Sequence, residues 1–155
     1  MTVDNQFVIA TANLLNFALP NRVFYRNQDV YTPQQYPQKI NALAPIFRQL
    51  QADIIGCQEI WDEQALIDLC RAAGLNDYHV TVPLASNQPD SPLTQGRGAI
   101  GTPSVGLVSR FEIINTELLT QMPAIALLDV HDVGLYQQYN RPALIADSRL
   151  TYGMV

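Results

Sequence analysis

This sequence has few positive charges and no basic cluster. Its 155 residues include nine Lys and Arg against 14 Asp and Glu, so the formal net charge is −5. Eight of the nine cations are arginines, scattered from Arg22 to Arg149. Proteins that bind nucleic acid nonspecifically usually carry a basic patch. The composition therefore argues against long duplex DNA as a substrate, although a bound metal would add positive charge locally.

Long apolar runs are also absent, although 48% of the residues are hydrophobic. No run is long enough to span a bilayer, so we expect no membrane insertion. The N-terminal residues 1–6 are polar and lack the basic segment of a secretory signal peptide. These features predict a cytoplasmic protein, and a secreted one remains an alternative if a segment precedes Met1.

Cysteine and histidine each occur only twice. Cys57 falls in an apolar run and Cys70 on the inner face of a predicted helix, so we expect two free, buried thiols rather than a disulfide. His79 is expected to pack in a strand. No G-x-S-x-G elbow accompanies His131, which argues against a Ser-His-Asp hydrolase.

The most informative stretch is residues 52–61, Ala-Asp-Ile-Ile-Gly-Cys-Gln-Glu-Ile-Trp. Its short apolar run is typical of a strand buried on both faces. Burying an unpaired carboxylate costs several kcal/mol, so Glu59 should lie at the strand's exit, near water, a partner or a cation. Ligand sites of open α/β sheets lie at this end of the strands. By spacing alone, however, a salt-bridged or helix-capping carboxylate explains Glu59 better.

A second strand with the same character is predicted upstream, over residues 6–12. A long loop, residues 13–37, and a helix over residues 38–51 follow, with Pro45 expected to kink the helix or to delay its start. This βαβ pattern makes the two strands parallel, so Asn13 and Glu59 should face one crevice. An amide oxygen beside a carboxylate is a plausible site for a hard cation, although Asn is also a common turn residue.

The remaining elements are predicted from periodicity and from turn residues. Asp62 should cap a helix that ends at Gly74. Further predicted segments are a strand over residues 78–84, a loop over 85–103, a strand over 104–109, and antiparallel strands over 112–120 and 142–150.

The loop contains the letters G-x-G-x-x-G, from Gly96 to Gly101. A dinucleotide site would need a strand before this motif and a helix after it. The sequence predicts neither, so we interpret the segment as a loop. Arg97 within it is a candidate phosphate contact or a solvated side chain.

Four stretches in order resemble the endonuclease/exonuclease/phosphatase (DNase I-like) superfamily of Mg²⁺-dependent phosphoesterases. They are Ala10–Phe17, Ala52–Glu59, Arg97-Gly98 followed by Ser104–Arg110, and Arg141–Ala146. The family's later motifs, a His, an Asp-x-Asn and a terminal Ser-Asp-His, have no counterpart in the sequence.

The resemblance implies an α/β (α+β) fold, the DNase I-like four-layer sandwich. Residues 1–155 would form its N-terminal portion, with mainly one sheet and its helices. It implies Mg²⁺, or else Mn²⁺ or Ca²⁺, held by Glu59 and Asn13 as the catalytic centre. Arg97 and Arg141 are the candidate contacts to the substrate phosphate. Arg141 has an ion-paired structural role as its alternative, and Arg110 is expected to be structural.

The activity implied is hydrolysis of a phosphoester, by a nuclease, phosphodiesterase or phosphatase. The partner is then a phosphate-containing substrate such as nucleic acid or a nucleotide. This chain alone would be incomplete and inactive, and the strands around Val8, Ile55, Leu107 and Leu144 would expose an apolar face. We therefore expect self-association unless the missing half is supplied. The alternative is a non-catalytic binding module or a degenerate fragment of the same fold.

Overall fold

A computed structural model describes residues 6–22, 31–83, 103–121 and 138–149, with backbone alone for 120–121 and 138–142. These residues form a mixed α/β structure with two helices and two sheets. In chain order the elements are β1 (Ile9–Phe17), α1 (Gln35–Leu50), β2 (Ile54–Ile60), α2 (Glu63–Ala73), β3 (His79–Thr81), β4 (Ser104–Ser109), β5 (Glu112–Gln121) and β6 (Gln138–Arg149). Neither helix is long and apolar enough to cross a membrane, in the segments just named.

The first sheet has the strand order β1-β2-β4-β3. Strands β1 and β2 are parallel neighbours, as the βαβ pattern predicted, and β4 joins both β2 and β3 in antiparallel pairs. Ile55, Cys57 and Val108 are buried in one core cluster with residues of α1 and α2. Burial raises the pKa of the Cys57 thiol to about 12. The prediction of two free, buried cysteines is confirmed.

The predicted end of the first strand was wrong. Strand β1 does not stop at residue 12 but continues to Phe17, with an irregular register against β2 between Asn13 and Phe17. Because Leu14 and Phe17 are buried against the core, continued pairing is favourable even though the backbone must bend. The loop predicted over residues 13–37 is therefore shorter, and residues 23–30 lie outside the described segments.

Helix α1 begins at Gln35, ahead of the predicted residue 38, and continues through Pro45. Pro45 therefore does not delay its start. The predicted apolar face is confirmed: Phe47 is buried, and Ile40, Leu43 and Leu50 pack partly buried against the same cluster.

Helix α2 has the predicted boundaries. Asp62 occupies its N-cap position, and Gly74 ends it with φ 80°, a left-handed conformation that glycine adopts without strain. The Asp62 side chain, however, caps nothing in its own helix. Its Oδ2 instead accepts a hydrogen bond from Leu19 N–H at 3.0 Å, and its Oδ1 lies 3.6 Å from Arg22 Nη1. The Asp62 carboxylate therefore links the segment after β1 to the end of β2.

The expectation of mainly one sheet was wrong. Strands β5 and β6 pair antiparallel in a second sheet, and Leu144 belongs to this sheet rather than to the first. Ile55 faces the helices and not the second sheet. A cavity of about 480 Å³ lies between the sheets, lined by residues that include Ile54, Leu107 and Leu144. The second sheet thus covers part of the face that was expected to be bare, and self-association remains a prediction.

Gly106 in β4 is a point of close packing between this strand and α2. A Cβ atom added there would lie 2.9 Å from Leu66 Cδ2 and 3.0 Å from Val82 Cγ2. We predict that Gly106→Ala lowers the free energy of unfolding by about 1–3 kcal/mol, because both neighbours must shift. A urea titration followed by circular dichroism measures this, with Gly56→Ala as the control, since the nearest atom there is 4.0 Å away. Equal stability of the two variants would contradict the packing argument.

Candidate functional site

The carboxyl ends of β1 and β2 bring together the two residues that the sequence singled out. Asn13 pairs in register with Gln58, so Glu59 follows directly beside it. Asn13 Nδ2 donates a hydrogen bond to Glu59 Oε1 at 3.1 Å. The predicted proximity of Asn13 and Glu59 is therefore confirmed, whereas the role of either in catalysis stays a prediction.

Both strands adopt an unusual backbone conformation at this edge. Leu15, Asn16 and Glu59 have φ values of 51°, 52° and 61°, in the left-handed region. Non-glycine residues there cost on the order of 1–3 kcal/mol each and tend to occur at functional sites, where surrounding contacts hold them. The bend at Leu15 and Asn16 turns backbone groups of β1 towards the Glu59 carboxylate.

Two donors from the bent part of β1 orient that carboxylate. Besides Asn13 Nδ2, the backbone N–H of Asn16 donates to Glu59 Oε2 at 3.1 Å. Asn13 Oδ1 accepts from Leu15 N–H at 2.9 Å, which fixes the Asn13 side chain in turn. Hydrogen bonds to both oxygens of a carboxylate hold it in one orientation.

Asn16 is buried and connects the bend to the core. Its Oδ1 accepts a hydrogen bond from Trp61 Nε1 at 3.1 Å, and Trp61 N–H donates to Phe17 O at 2.9 Å. Trp61 is fully buried. Asn16 therefore supports the site with both its side chain and its backbone.

Lys39 is the residue that the sequence reasoning missed. From α1 its ammonium donates to Leu15 O at 2.6 Å and to the hydroxyl of Tyr31. It lies 4.8 Å from the centroid of the Tyr31 ring and 5.7 Å from that of Phe17. Desolvation lowers the pKa of Lys39, and the charge of Glu59 opposes that shift, so the two charged groups interact electrostatically.

A signal for Lys39 was present in the sequence. It is the only lysine of the chain, three residues after Tyr36 and four before Leu43, on the apolar side of an amphipathic helix. A charge in that position needs a buried partner or a path to water.

The oxygen ligands at this edge can be compared with those that a divalent cation requires. Mg²⁺ is commonly held by one or two carboxylates, with water and substrate phosphates completing its shell. Glu59 is one such carboxylate, whereas Asn13 turns its Nδ2 towards Glu59 and its Oδ1 accepts from Leu15 N–H, so Asn13 orients the carboxylate. The edge does not form an all-protein cage, because the described part of the chain has no group of three or more His, Cys, Asp or Glu side chains suited to a metal.

The other candidate residues do not join this edge. Arg110 pairs with Asp53 at 2.7 Å, at the opposite end of β2, so its structural role is confirmed. His79 begins β3 and is exposed. Arg97 lies outside the described residues, and of Arg141 only the backbone, in β6, is described.

Comparisons with known proteins give no further assignment. No family model matches the chain, and no curated protein matches it.

Proposed function

We propose that this chain contributes the cation-binding edge of a metal-dependent phosphoester hydrolase, of the nuclease or phosphodiesterase/phosphatase type. The observation that carries the proposal is the Glu59 carboxylate at the carboxyl edge of two parallel strands, held by Asn13 and by the Asn16 N–H. A charged group fixed by a strained backbone at this edge is typical of a site rather than of a surface ion pair.

The residues of this chain would bind the cation and orient its carboxylate ligand. Glu59 would hold Mg²⁺, Mn²⁺ or Ca²⁺, with the Asn13 amide beside it. Such a cation neutralises charge on phosphoryl oxygens during an in-line displacement. Asn13 and Asn16 would keep the carboxylate in one orientation before the substrate arrives, which lowers the reorganisation that the reaction requires.

The resemblance implies that further groups come from the rest of such a domain. These are a general base, a histidine that stabilises the phosphoryl oxygens, and additional metal contacts. Under this proposal the complete domain is active, and this chain alone is inactive.

A second function, a non-catalytic binding module, is favoured by one observation. Lys39 is close enough to Glu59 for the carboxylate charge to act on its pKa, and both carboxylate oxygens already accept hydrogen bonds. Glu59 is therefore compensated by the protein itself and can serve as a purely structural link between β1 and β2.

Cation binding separates these two functions. In a titration followed by electron paramagnetic resonance of free Mn²⁺, the wild-type chain should bind one ion, and Glu59→Gln should weaken this binding by at least about tenfold because the ligand charge is lost. Glu117→Gln, an exposed carboxylate on β5, is the matched control and should bind as the wild type does. Failure of the wild type to bind Mn²⁺ at millimolar concentrations would favour the binding module.

A further inference from the structure

We propose that Lys39 is the positioning residue of the Glu59 carboxylate and that it acts through the peptide group between Leu15 and Asn16. The inference rests on the proposed function only where it concerns cation affinity. Its structural part, that Lys39 holds the donor of Glu59, stands independently.

A single peptide group connects the two charged side chains. Its carbonyl oxygen, Leu15 O, accepts from Lys39 Nζ at 2.6 Å and from the Tyr31 hydroxyl at 3.2 Å. Its N–H, on Asn16, donates to Glu59 Oε2 at 3.1 Å. Hydrogen bonds in such a chain polarise one another, so an ammonium on the carbonyl makes the N–H a stronger donor to the carboxylate.

The backbone conformation explains why this peptide needs to be held. Leu15 and Asn16 are both left-handed, and neither is glycine. The Leu15 side chain is 70% exposed, so its own packing contributes little to the bend. The carbonyl contacts of Lys39 and Tyr31, together with the Asn16 side chain on Trp61, are what keep the peptide facing Glu59.

Lys39 is itself held in one place. The Phe17 ring is buried and stacks on Tyr36, and the ammonium lies 5.7 Å from the centroid of the Phe17 ring and 4.8 Å from that of Tyr31. Cation–π contacts of this kind retain an ammonium where water is partly excluded. An ammonium fixed in this way holds the peptide group between Leu15 and Asn16 in one orientation. A mobile surface lysine would not do so.

The positioning role and simple electrostatic repulsion predict opposite effects of removing Lys39 on Mn²⁺ affinity. A bystander cation near Glu59 repels a divalent ion, so its removal should tighten Mn²⁺ binding. If Lys39 orients the carboxylate, Lys39→Met should weaken Mn²⁺ binding instead, by about tenfold, the lower range for loss of a group that orients a metal ligand. Lys39→Arg, which keeps the charge and a donor, should restore most of the affinity.

Arg48→Met provides the matched control. Arg48 is the other cation of α1 and also bonds backbone carbonyls, those of Ala72 and Ala73, both at 3.2 Å, but at the far end of the helix. This variant loses the same charge from the same helix. Its Mn²⁺ affinity should equal that of the wild type.

A second measurement does not depend on the metal. In ¹H–¹⁵N spectra of the wild-type chain without metal, the Asn16 amide should exchange slowly with solvent. In Lys39→Met its exchange should accelerate by about tenfold and its proton should shift upfield, because the hydrogen bond to Glu59 is weakened. Arg48→Met should leave this amide unchanged.

The outcomes are distinct. Tighter Mn²⁺ binding by Lys39→Met, or an unchanged Asn16 amide in that variant, would overturn the positioning role. If the wild type binds no Mn²⁺, the proposed function fails, and the Asn16 amide alone decides the role of Lys39. If Lys39→Met does not fold, Lys39→Gln replaces it, because it removes the ammonium and keeps a polar side chain. A wild-type Asn16 amide in Lys39→Gln would then overturn the inference.

Discussion

Glu59→Gln is expected to reduce Mg²⁺-dependent hydrolysis of a phosphodiester by at least about a hundredfold in a protein that carries the complete domain. The substitution removes the carboxylate charge but retains a side chain of nearly the same shape. Asn13 and the Asn16 N–H would then face a neutral amide instead of an anion. The initial rate for an aryl phosphodiester, measured as Mg²⁺ is varied, tests this expectation.

The rates of two further variants provide the comparison for Glu59→Gln. Asn13→Ala should reduce the rate by about tenfold, because it removes one group that orients the carboxylate without removing its charge. Glu117→Gln changes the net charge as Glu59→Gln does, but at an exposed position of β5, and should leave the rate unchanged. Turnover of Glu59→Gln near that of the Glu117→Gln control would show that Glu59 is not the metal ligand.

Asp53→Ala is expected to lower the free energy of unfolding by about 3 kcal/mol. The buried Asp53 carboxylate accepts from Val8 N–H at 2.9 Å and from Arg110 Nη2 at 2.7 Å. Its backbone also bonds Val8 O and Arg110 N–H, so the residue joins the starts of β1 and β2 to the end of β4. Loss of the side chain leaves the Val8 N–H without its carboxylate partner.

Urea unfolding followed by the fluorescence of Trp61, the only tryptophan, measures this change. Glu112→Ala is the control, since Glu112 forms an exposed ion pair with Arg149 at 3.3 Å. Exposed pairs contribute about 0–1 kcal/mol, so this variant should differ little from the wild type. Equal destabilisation by the two substitutions would contradict the role of burial at Asp53.

Local sequence determined those helices and strands that have a recognisable periodicity or recognisable end residues. The apolar run of β2, the periodicity of α1, and Asp62 and Gly74 at the ends of α2 predicted three elements. The βαβ order also placed Asn13 beside Glu59. These predictions succeed because helix and strand periods and the direction of a parallel crossover follow from backbone geometry alone.

The tertiary structure decided what depends on distant partners. Strand β1 continues beyond Asn13 because Leu14 and Phe17 are buried in the core. Leu144 belongs to a second sheet because β5 pairs with β6. The contact of Lys39 with Leu15 O spans 24 residues, so no local pattern contains it. A left-handed bend in a strand is unfavourable by itself, and contacts with distant residues stabilise it, among them those of the Lys39 ammonium, the Tyr31 hydroxyl, the Glu59 carboxylate and the Trp61 indole.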